Sequence, residues 1–245
     1  MKVSNTSLIF YSHSSYSDLW EVFTSSVEEF CDIEFAEYYF LTDHGECTPK
    51  YKKVIYENEQ EYSKRILNAL NQVKTEFVIV HHEDMFFQDK VNNDMFSNSI
   101  DKLKEYEEIS FIKYLKAGTP SDINRLSRYK EERDFYLIKS NFDYVFTVQP
   151  NLWRVEDLKK ILEEFNLNGW QMETDTQQYC RRKNLQGLCY FTGKENKRGM
   201  FHWDSIVYPT VNAISKGKWI TSEYGEDIAR IAKKHSIDLS IRGEI

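Results

Sequence analysis

Two adjacent carboxylates close the strongest strand-like run of the chain: Glu76-Phe77-Val78-Ile79-Val80 leads straight into His81-His82-Glu83-Asp84. Carboxylates at the end of a buried strand are costly unless something positive meets them. Hard divalent cations take oxygen ligands, and Mg²⁺ is commonly held by one or two protein carboxylates with substrate phosphates and water completing its shell. The bland alternative is a carboxylate pair that starts a surface turn or caps the next helix. The histidine pair invites zinc, but neighbouring residues of a strand point to opposite faces, so a shared ion is not expected. No spacing ties His202 to them. Glu173 lies in Gly169-Trp170-Gln171-Met172-Glu173-Thr174-Asp175. Flanked by Trp and Met, it would be partly desolvated and have a raised pKa, which suits a general base; a solvated loop Glu is the alternative. Arg181-Arg182-Lys183 and Lys64-Arg65 are suited to neutralising phosphate, although a solvated face is the commoner origin of such runs. G-x-S-x-G, G-x-G-x-x-G and G-x-x-x-x-G-K-[ST] are all missing, so nucleophile-elbow, Rossmann and P-loop chemistry lack their fingerprints.

These residues need elements to position them. Residues 7–11 read as a short buried strand stopped by Ser12-His13-Ser14-Ser15. A helix follows over about 18–31, with Trp20, Phe23, Val27 and Phe30 on one face, Asp18 as its cap and Glu21 as the capping-box partner. Residues 36–41 form a second strand ended by Thr42-Asp43-His44-Gly45. Residues 63–73 are helical through Ile66, Leu67, Leu70 and Val73, and precede the strand at 76–80. Strands separated by helices imply βαβ units, an α/β fold and a parallel sheet. Ligands of such sheets sit beyond the carboxyl ends of the strands, here the clusters at 12–14, 42–44 and 82–84.

The second half is less regular. Strands are expected at 109–115 and 144–149, helices at 156–165 and 227–234, and loops at 118–122, 181–183 and 194–198. Residues 125–133 read as a surface helix or mobile loop, and 203–214 are ambiguous. No linker or repeat is evident, so one domain is expected.

The chain has 245 residues, of which 41% are hydrophobic and 15% aromatic, with 9 Gly and 4 Pro. That excludes collagen-like and disordered classes. Its net charge is −7, so no global basic field exists to hold nucleic acid. No apolar run approaches the ~20 residues that span a bilayer. The apolar run at residues 8–11 is too short for a secretory signal. The four Cys show no C-x-x-C spacing, and reduced thiols in a cytoplasmic protein are expected.

Together these pieces resemble the nucleotide-diphospho-sugar transferases of the GT-A type, especially small bacterial glycosyltransferases. The resemblance runs from about residue 7 to 219. It is carried by Leu8-Ile9-Phe10-Tyr11, then Tyr16-Ser17-Asp18-Leu19-Trp20, then the block 65–87 that ends in His82-Glu83-Asp84-Met85-Phe86-Phe87. It continues in Val148-Gln149-Pro150-Asn151-Leu152-Trp153-Arg154, Trp170-Gln171-Met172-Glu173 and Ile214-Ser215-Lys216-Gly217-Lys218-Trp219. It implies a single GT-A-like domain over 1–245, mostly parallel, with a nucleotide-binding half over about 1–115 and an acceptor-side half over about 116–245. It implies a sugar moved from a nucleotide-diphosphate sugar to a glycan or lipid-linked acceptor, with inversion and a Mn²⁺ or Mg²⁺ ion. Asp84 matches the metal-binding aspartate of the family's D-x-D motif; Glu83 is a weaker match, and His82 stands where that motif begins with an acid. Glu173 is implied as the base. Ser12, His13 and Asp43 would line the nucleotide pocket, Arg65 or Arg181 would assist the diphosphate, and Trp153, Trp170 and Tyr179 would stack on sugar. A lipid-linked acceptor would bring the protein to the inner face of the membrane, for which 227–235, weakly amphipathic with Lys233-Lys234, is the only and insufficient candidate segment. Two other readings stand beside this one: a nucleotidyltransferase forming a sugar nucleotide, weakened by the lack of Gly at 12–15, and a non-catalytic carbohydrate-binding protein on the same fold.

Overall fold

The computed structural model describes residues 1–115, 126–199 and 202–245. The expected loop at 118–122 lies outside these residues, as does Arg125. The described residues form an α/β domain around a nine-stranded sheet in the order β3-β2-β1-β4-β8-β5-β9-β7-β6. The strands are β1 (Lys2–Tyr11), β2 (Glu34–Thr42), β3 (Lys52–Ile55), β4 (Phe77–His82), β5 (Ile109–Lys113), β6 (Ser127–Arg128), β7 (Phe135–Ile138), β8 (Asn151–Arg154) and β9 (Gln186–Tyr190). β1 pairs in parallel with β2 and β4, as does β2 with β3 and β5 with β9. Only β7 and β8 run against the rest, so the sheet is mixed but mostly parallel. β8 comes from late in the chain, yet it sits between β4 and β5.

Helices α1 (Trp20–Phe30), α2 (Tyr62–Leu70), α3 (Asn93–Glu105), α4 (Val155–Glu164), α5 (Gly169–Asp175), α6 (Gln177–Arg182) and α7 (Thr221–His235) complete the domain. Alternation along each strand divides the core between the two faces of the sheet. Leu8, Phe10, Phe40, Phe77, Ile79 and Ile112 join one cluster with α1 and α3. Ile9, Leu41, Val78, Val80, Phe111 and Trp153 join the other with α2 and α4. A third cluster binds α7 to α1 and to a hairpin of β10 (Ile214–Ser215) and β11 (Lys218–Trp219). Lys216 and Gly217 both have positive φ in its two-residue turn, the conformation that tight hairpins require.

Several sequence expectations are corrected. Asp18 does not cap α1. A 3₁₀ turn, Ser14–Leu19, precedes that helix and is capped by His13, while Asp18 pairs with Arg242. Residues 144–149 are not a strand: Tyr144 has φ +55°, and the strand begins after Pro150, at Asn151. Side chains rather than a ladder hold this segment, because Lys113 donates to the Tyr144 carbonyl and the Val148 N–H donates to Glu173. Residues 181–183 are not simply loop, since α6 includes Arg181 and Arg182. In the charged stretch before Arg133, β6 pairs with β7 instead of forming a helix.

Gly187 in β9 tests the packing directly. A Cβ there would lie 2.2 Å from the Phe111 ring, which is itself fully buried and packed on Trp153 with ring centroids 4.4 Å apart. Gly187→Ala is expected to cost about 1–3 kcal/mol through overpacking, read as a lowered midpoint in urea unfolding with an unchanged slope.

Candidate functional site

The register brings the carboxyl ends of β1, β2, β3, β4 and β5 to one edge. Tyr11 stands opposite both Leu41 and His82, Thr42 opposite Ile55, and Lys113 opposite Asn151. β8 is antiparallel to its neighbours, so Asn151 at its start reaches the same edge as Lys113 at the end of β5. Most of the residues singled out in the sequence lie here.

The loop after β1 is rigidly built. The Ser12 N–H continues the ladder to Leu41 O at 2.9 Å, and the Ser12 hydroxyl accepts from Trp20 Nε1 at 2.7 Å. Ser12 is fully buried, so it supports the loop and does not line a pocket as expected. His13 Nδ1 accepts from Ser15 N at 3.0 Å, leaving the ring part-exposed at the rim. Asp43 clamps the same loop: it accepts from Ser14 N and Ser14 Oγ, both at 2.7 Å, from Thr42 Oγ1 at 3.2 Å, and lies 2.9 Å from His44 Nδ1. Burial pushes this carboxyl up, but the Ser14 hydrogen bonds outweigh it and hold Asp43 well below the usual range. Its side chain is only 3% exposed, so it shapes the loop and presents little surface of its own. Asp43→Asn is expected to lose about 1.5–3 kcal/mol. Because the folded pKa is depressed, the wild-type contribution is complete above the unfolded value of about 3.9 and is lost as pH falls below it. Denaturant melts of both proteins between neutral and acidic pH should therefore converge at the acidic end.

Beside this loop stand Tyr11, Tyr56, Tyr62 and His82. Tyr11 stacks on Tyr56 with centroids 5.8 Å apart, and Tyr62 Oη lies 3.1 Å from His82 Nε2. Arg65 packs over the Tyr56 ring at 4.4 Å. Its donors go to Tyr11 Oη at 3.1 Å and to the carbonyls of Gln60 and Asn58 at 2.7 and 2.9 Å. Arg65 is therefore at the edge, with much of its hydrogen bonding committed to the fold.

The two histidines separate as strand geometry requires. His81 is fully buried on the α1 face, 3.2 Å from Tyr208 Oη and bonded to the Met85 carbonyl. Burial lowers its pKa to about 3, so it is a neutral core residue. His82 faces Tyr11 and Tyr62, and burial lowers it to about 4. His202 lies elsewhere, against Glu223 and Asn212. Among the described residues no three His, Cys, Asp or Glu side chains gather as a metal-binding group.

The turn after β4 carries the acid pair. Glu83 is 7% exposed, within hydrogen-bonding reach of Ser12. Burial, and then the neighbouring Asp84, push it well above its ordinary value. Asp84 is half-buried, and burial raises it to about 7, opposed by a backbone hydrogen bond and by Arg242. Two carboxyl groups crowded in this way, one of them only half-buried, suit a divalent cation that completes its shell with phosphate and water.

Glu173 projects from α5, which Asn168 and Gln171 start with a reciprocal capping box and Met172 anchors in the core. It accepts the Val148 N–H at 2.8 Å. Burial raises its pKa, while the Val148 bond and the Lys113 charge oppose the rise. Lys113 is 8% exposed, and burial lowers it to about 8. Tyr62 links the two ends of the site: it meets His82, and its ring lies 3.8 Å from where a Cβ on Gly169 would stand, at the start of α5.

Three expected residues do not belong. Trp153 is 3% exposed and packs between Phe111 and Phe146, so it cannot stack on sugar. Tyr179 is buried against Phe165. Arg181 is exposed at the end of α6, just before β9. β9 starts beside Ile109, at the edge of the sheet opposite Asp84. Conversely, Trp170 is 72% exposed. Sequence reasoning missed Lys113, Tyr62 and Arg242. Lys113 carried a signal, a charge inside the apolar strand expected at 109–115; Arg242 carried none.

No family profile matches this chain, and no curated protein is similar to it in sequence. Solved structures are similar in fold. UDP-glucose pyrophosphorylase complexed with UDP-glucose superposes with a TM-score of 0.51 at 10% identity, over 94% of this chain and 99% of that one. CMP:2-keto-3-deoxy-manno-octonic acid synthetase complexed with CTP gives 0.46 at 9% identity, over 76% and 89%. The bifunctional IspDF from Campylobacter jejuni gives 0.47 at 15%, over 84% of this chain and 52% of that one. The first likeness supports a shared α/β fold. No helix among the described residues is long and apolar enough to cross a membrane.

Proposed function

We propose that the chain is a transferase that binds a nucleoside-diphosphate sugar at the carboxyl edge of its sheet and moves the sugar to an acceptor hydroxyl. The observation that carries this reading is the shared edge: the acid pair Glu83–Asp84 and the partly desolvated Glu173 stand on one rim, joined through His82 and Tyr62. The diphosphate lies toward Asp84 and the nucleoside against the loop of His13 and the Tyr11–Tyr56 pair. A divalent ion, Mn²⁺ or Mg²⁺, would be held by Asp84 and Glu83, where it would supply charge to offset the leaving diphosphate. Glu173 takes the proton of the acceptor hydroxyl as that oxygen bonds the anomeric carbon, and the bond from that carbon to the diphosphate oxygen breaks. The Val148 N–H fixes the Glu173 carboxylate, and the Lys113 charge favours its ionised form against the effect of burial.

Nucleotidyl transfer is the second reading, favoured by the fold likeness to UDP-glucose pyrophosphorylase over nearly the whole of both chains; on the comparisons alone it is the better supported. Against it stands the loop at 12–15, which has no Gly to let backbone approach a triphosphate. Product analysis separates them. Release of nucleoside diphosphate from a sugar nucleotide supports glycosyl transfer, and release of pyrophosphate from a nucleoside triphosphate plus a sugar phosphate supports the second. Thermal shift with UDP, GDP, CDP and dTDP, with and without Mn²⁺, selects the base first. A diphosphate at ~100 times its Kd stabilises by about 2.7 kcal/mol, roughly 5–10 °C. No shift with any of them would favour a carbohydrate-binding protein instead.

Trp170 supplies the acceptor side with an open ring. Trp170→Ala is expected to leave thermal stability within about 0.5 kcal/mol while raising the acceptor KM several-fold, measured by initial rates at saturating donor.

A further inference from the structure

The segment after α7 returns across the molecule to the acid pair. It turns at Ser236, with φ +55°, makes a 3₁₀ turn over Leu239–Ile241 capped by Asp238, and turns again at Gly243, with φ +69°. Two backbone hydrogen bonds fasten it to β11, from Trp219 N to Gly243 O at 3.0 Å and from Ile245 N to Trp219 O at 2.8 Å. Arg242 immediately precedes these anchors. Its guanidinium covers the Tyr16 ring at 4.5 Å, donates from Nε to Asp18 at 2.9 Å and from Nη2 to the Ser15 carbonyl at 3.3 Å, and is 12% exposed. The loop it grips is the one that follows β1 and flanks the proposed nucleotide pocket.

We infer that Arg242 is an anion-binding residue of this site, contacting the phosphates of the bound nucleotide. The inference rests on the reading above and names the cation that reading lacks. A nucleoside diphosphate and two carboxylates together carry more negative charge than one divalent ion offsets. Arg65 is largely committed to carbonyls, Arg181 is at the far edge, and Lys113 lies on the Glu173 side. Backbone hydrogen bonds from Ala213 N to Asp84 O at 2.9 Å, from Ile220 N to Ala213 O at 2.8 Å and from Trp219 N to Gly243 O at 3.0 Å tie the Arg242 segment to the turn of the acid pair. A planar guanidinium braced by an aromatic ring suits paired phosphate oxygens, and Asp18, 45% exposed, is a resting partner that a phosphate can replace.

Calorimetric titration of pyrophosphate, and of the diphosphate selected by thermal shift, each with Mn²⁺, tests this on wild type, Arg242→Gln, Arg242→Lys and Asp18→Asn. Arg242→Gln is expected to weaken both ligands about ten- to a hundredfold, and Arg242→Lys less. Asp18→Asn, which removes the resting partner but keeps the guanidinium, is expected to bind as tightly as wild type or more tightly. Arg242→Gln within twofold of wild type would overturn the inference. So would equal losses in Arg242→Gln and Asp18→Asn, because Arg242 would then only pin the segment. Should Arg242→Gln fail to fold, Arg242→Lys against Asp18→Asn decides by the same comparison. Pyrophosphate binding lost in Arg242→Gln, with no nucleotide bound by wild type, would support Arg242 while overturning the sugar-nucleotide reading. Wild type binding neither would overturn both.

Discussion

Glu173→Gln is expected to lower turnover by about 10²–10⁴-fold, the usual worth of a positioned general base, while nucleotide affinity stays near wild type. The amide oxygen can still accept the Val148 N–H, so the local backbone is kept; what disappears is the ability to take a proton. The same residue sets the acid limb of the pH–rate profile. Burial raises its pKa, and the base works only when ionised. The rate therefore falls as pH drops through a value raised from that of a free glutamate, and that limb should be absent from the residual activity of Glu173→Gln. Lys113→Met is expected to move the limb further up, since the charge that opposes the rise is gone. A Glu173→Gln variant with near-normal turnover would remove this residue from the mechanism.

Asp84→Asn carries the second large effect. Taking charge stabilisation from a leaving group costs about 10²–10³-fold in rate, and here the stabilising ion would lose its more accessible ligand. Turnover is expected to fall by that factor, and the thermal shift produced by a nucleoside diphosphate should no longer depend on Mn²⁺. The comparison with Glu173→Gln is informative because the two defects differ in kind: Asp84→Asn should weaken donor binding in the presence of metal, and Glu173→Gln should not. A metal-dependent shift that survives Asp84→Asn would exclude Asp84 as the ligand.

The end of β1 and the strands β2 and β4 were legible because each is an apolar run closed by a polar cluster, and the helices show clean stripes, such as Ile66 and Leu70; the polar first half of β1 and the edge strand β3, with its two lysines, carried no such signal. The edge of the site followed, since parallel strands place their ends together. What failed was governed by distant partners. Asp18 has the type and spacing of a helix cap, but Arg242, far along the chain, takes its carboxylate. Residues 144–149 have the composition of a strand, yet Lys113 and Glu173 hold their backbone in place of a ladder. Trp153 and Trp170 are the same residue type in similar motifs; only packing against Phe111 separates the buried one from the open one. Arg181 and Arg65 look equally basic in sequence, and the direction of β9 sends one to the wrong edge. Ser12 and Asp43 lie at the strand ends, yet their oxygens are occupied by Trp20 and Ser14, a pairing that no local pattern announces.

The insertion of β8 between β4 and β5 bears on how the chain is made. β4 ends at His82, and its partner arrives only with Asn151–Arg154. At roughly 5–20 residues per second of synthesis, about seventy intervening residues take roughly 4–14 s. During that time the β4 edge beside the acid pair has no partner, and β5 cannot join the sheet through β8. Strand edges left open in this way invite pairing between nascent chains. Fragments ending near residue 115 should therefore aggregate while those reaching residue 164 do so less, and the delay between the two is where a holding chaperone would act on this protein.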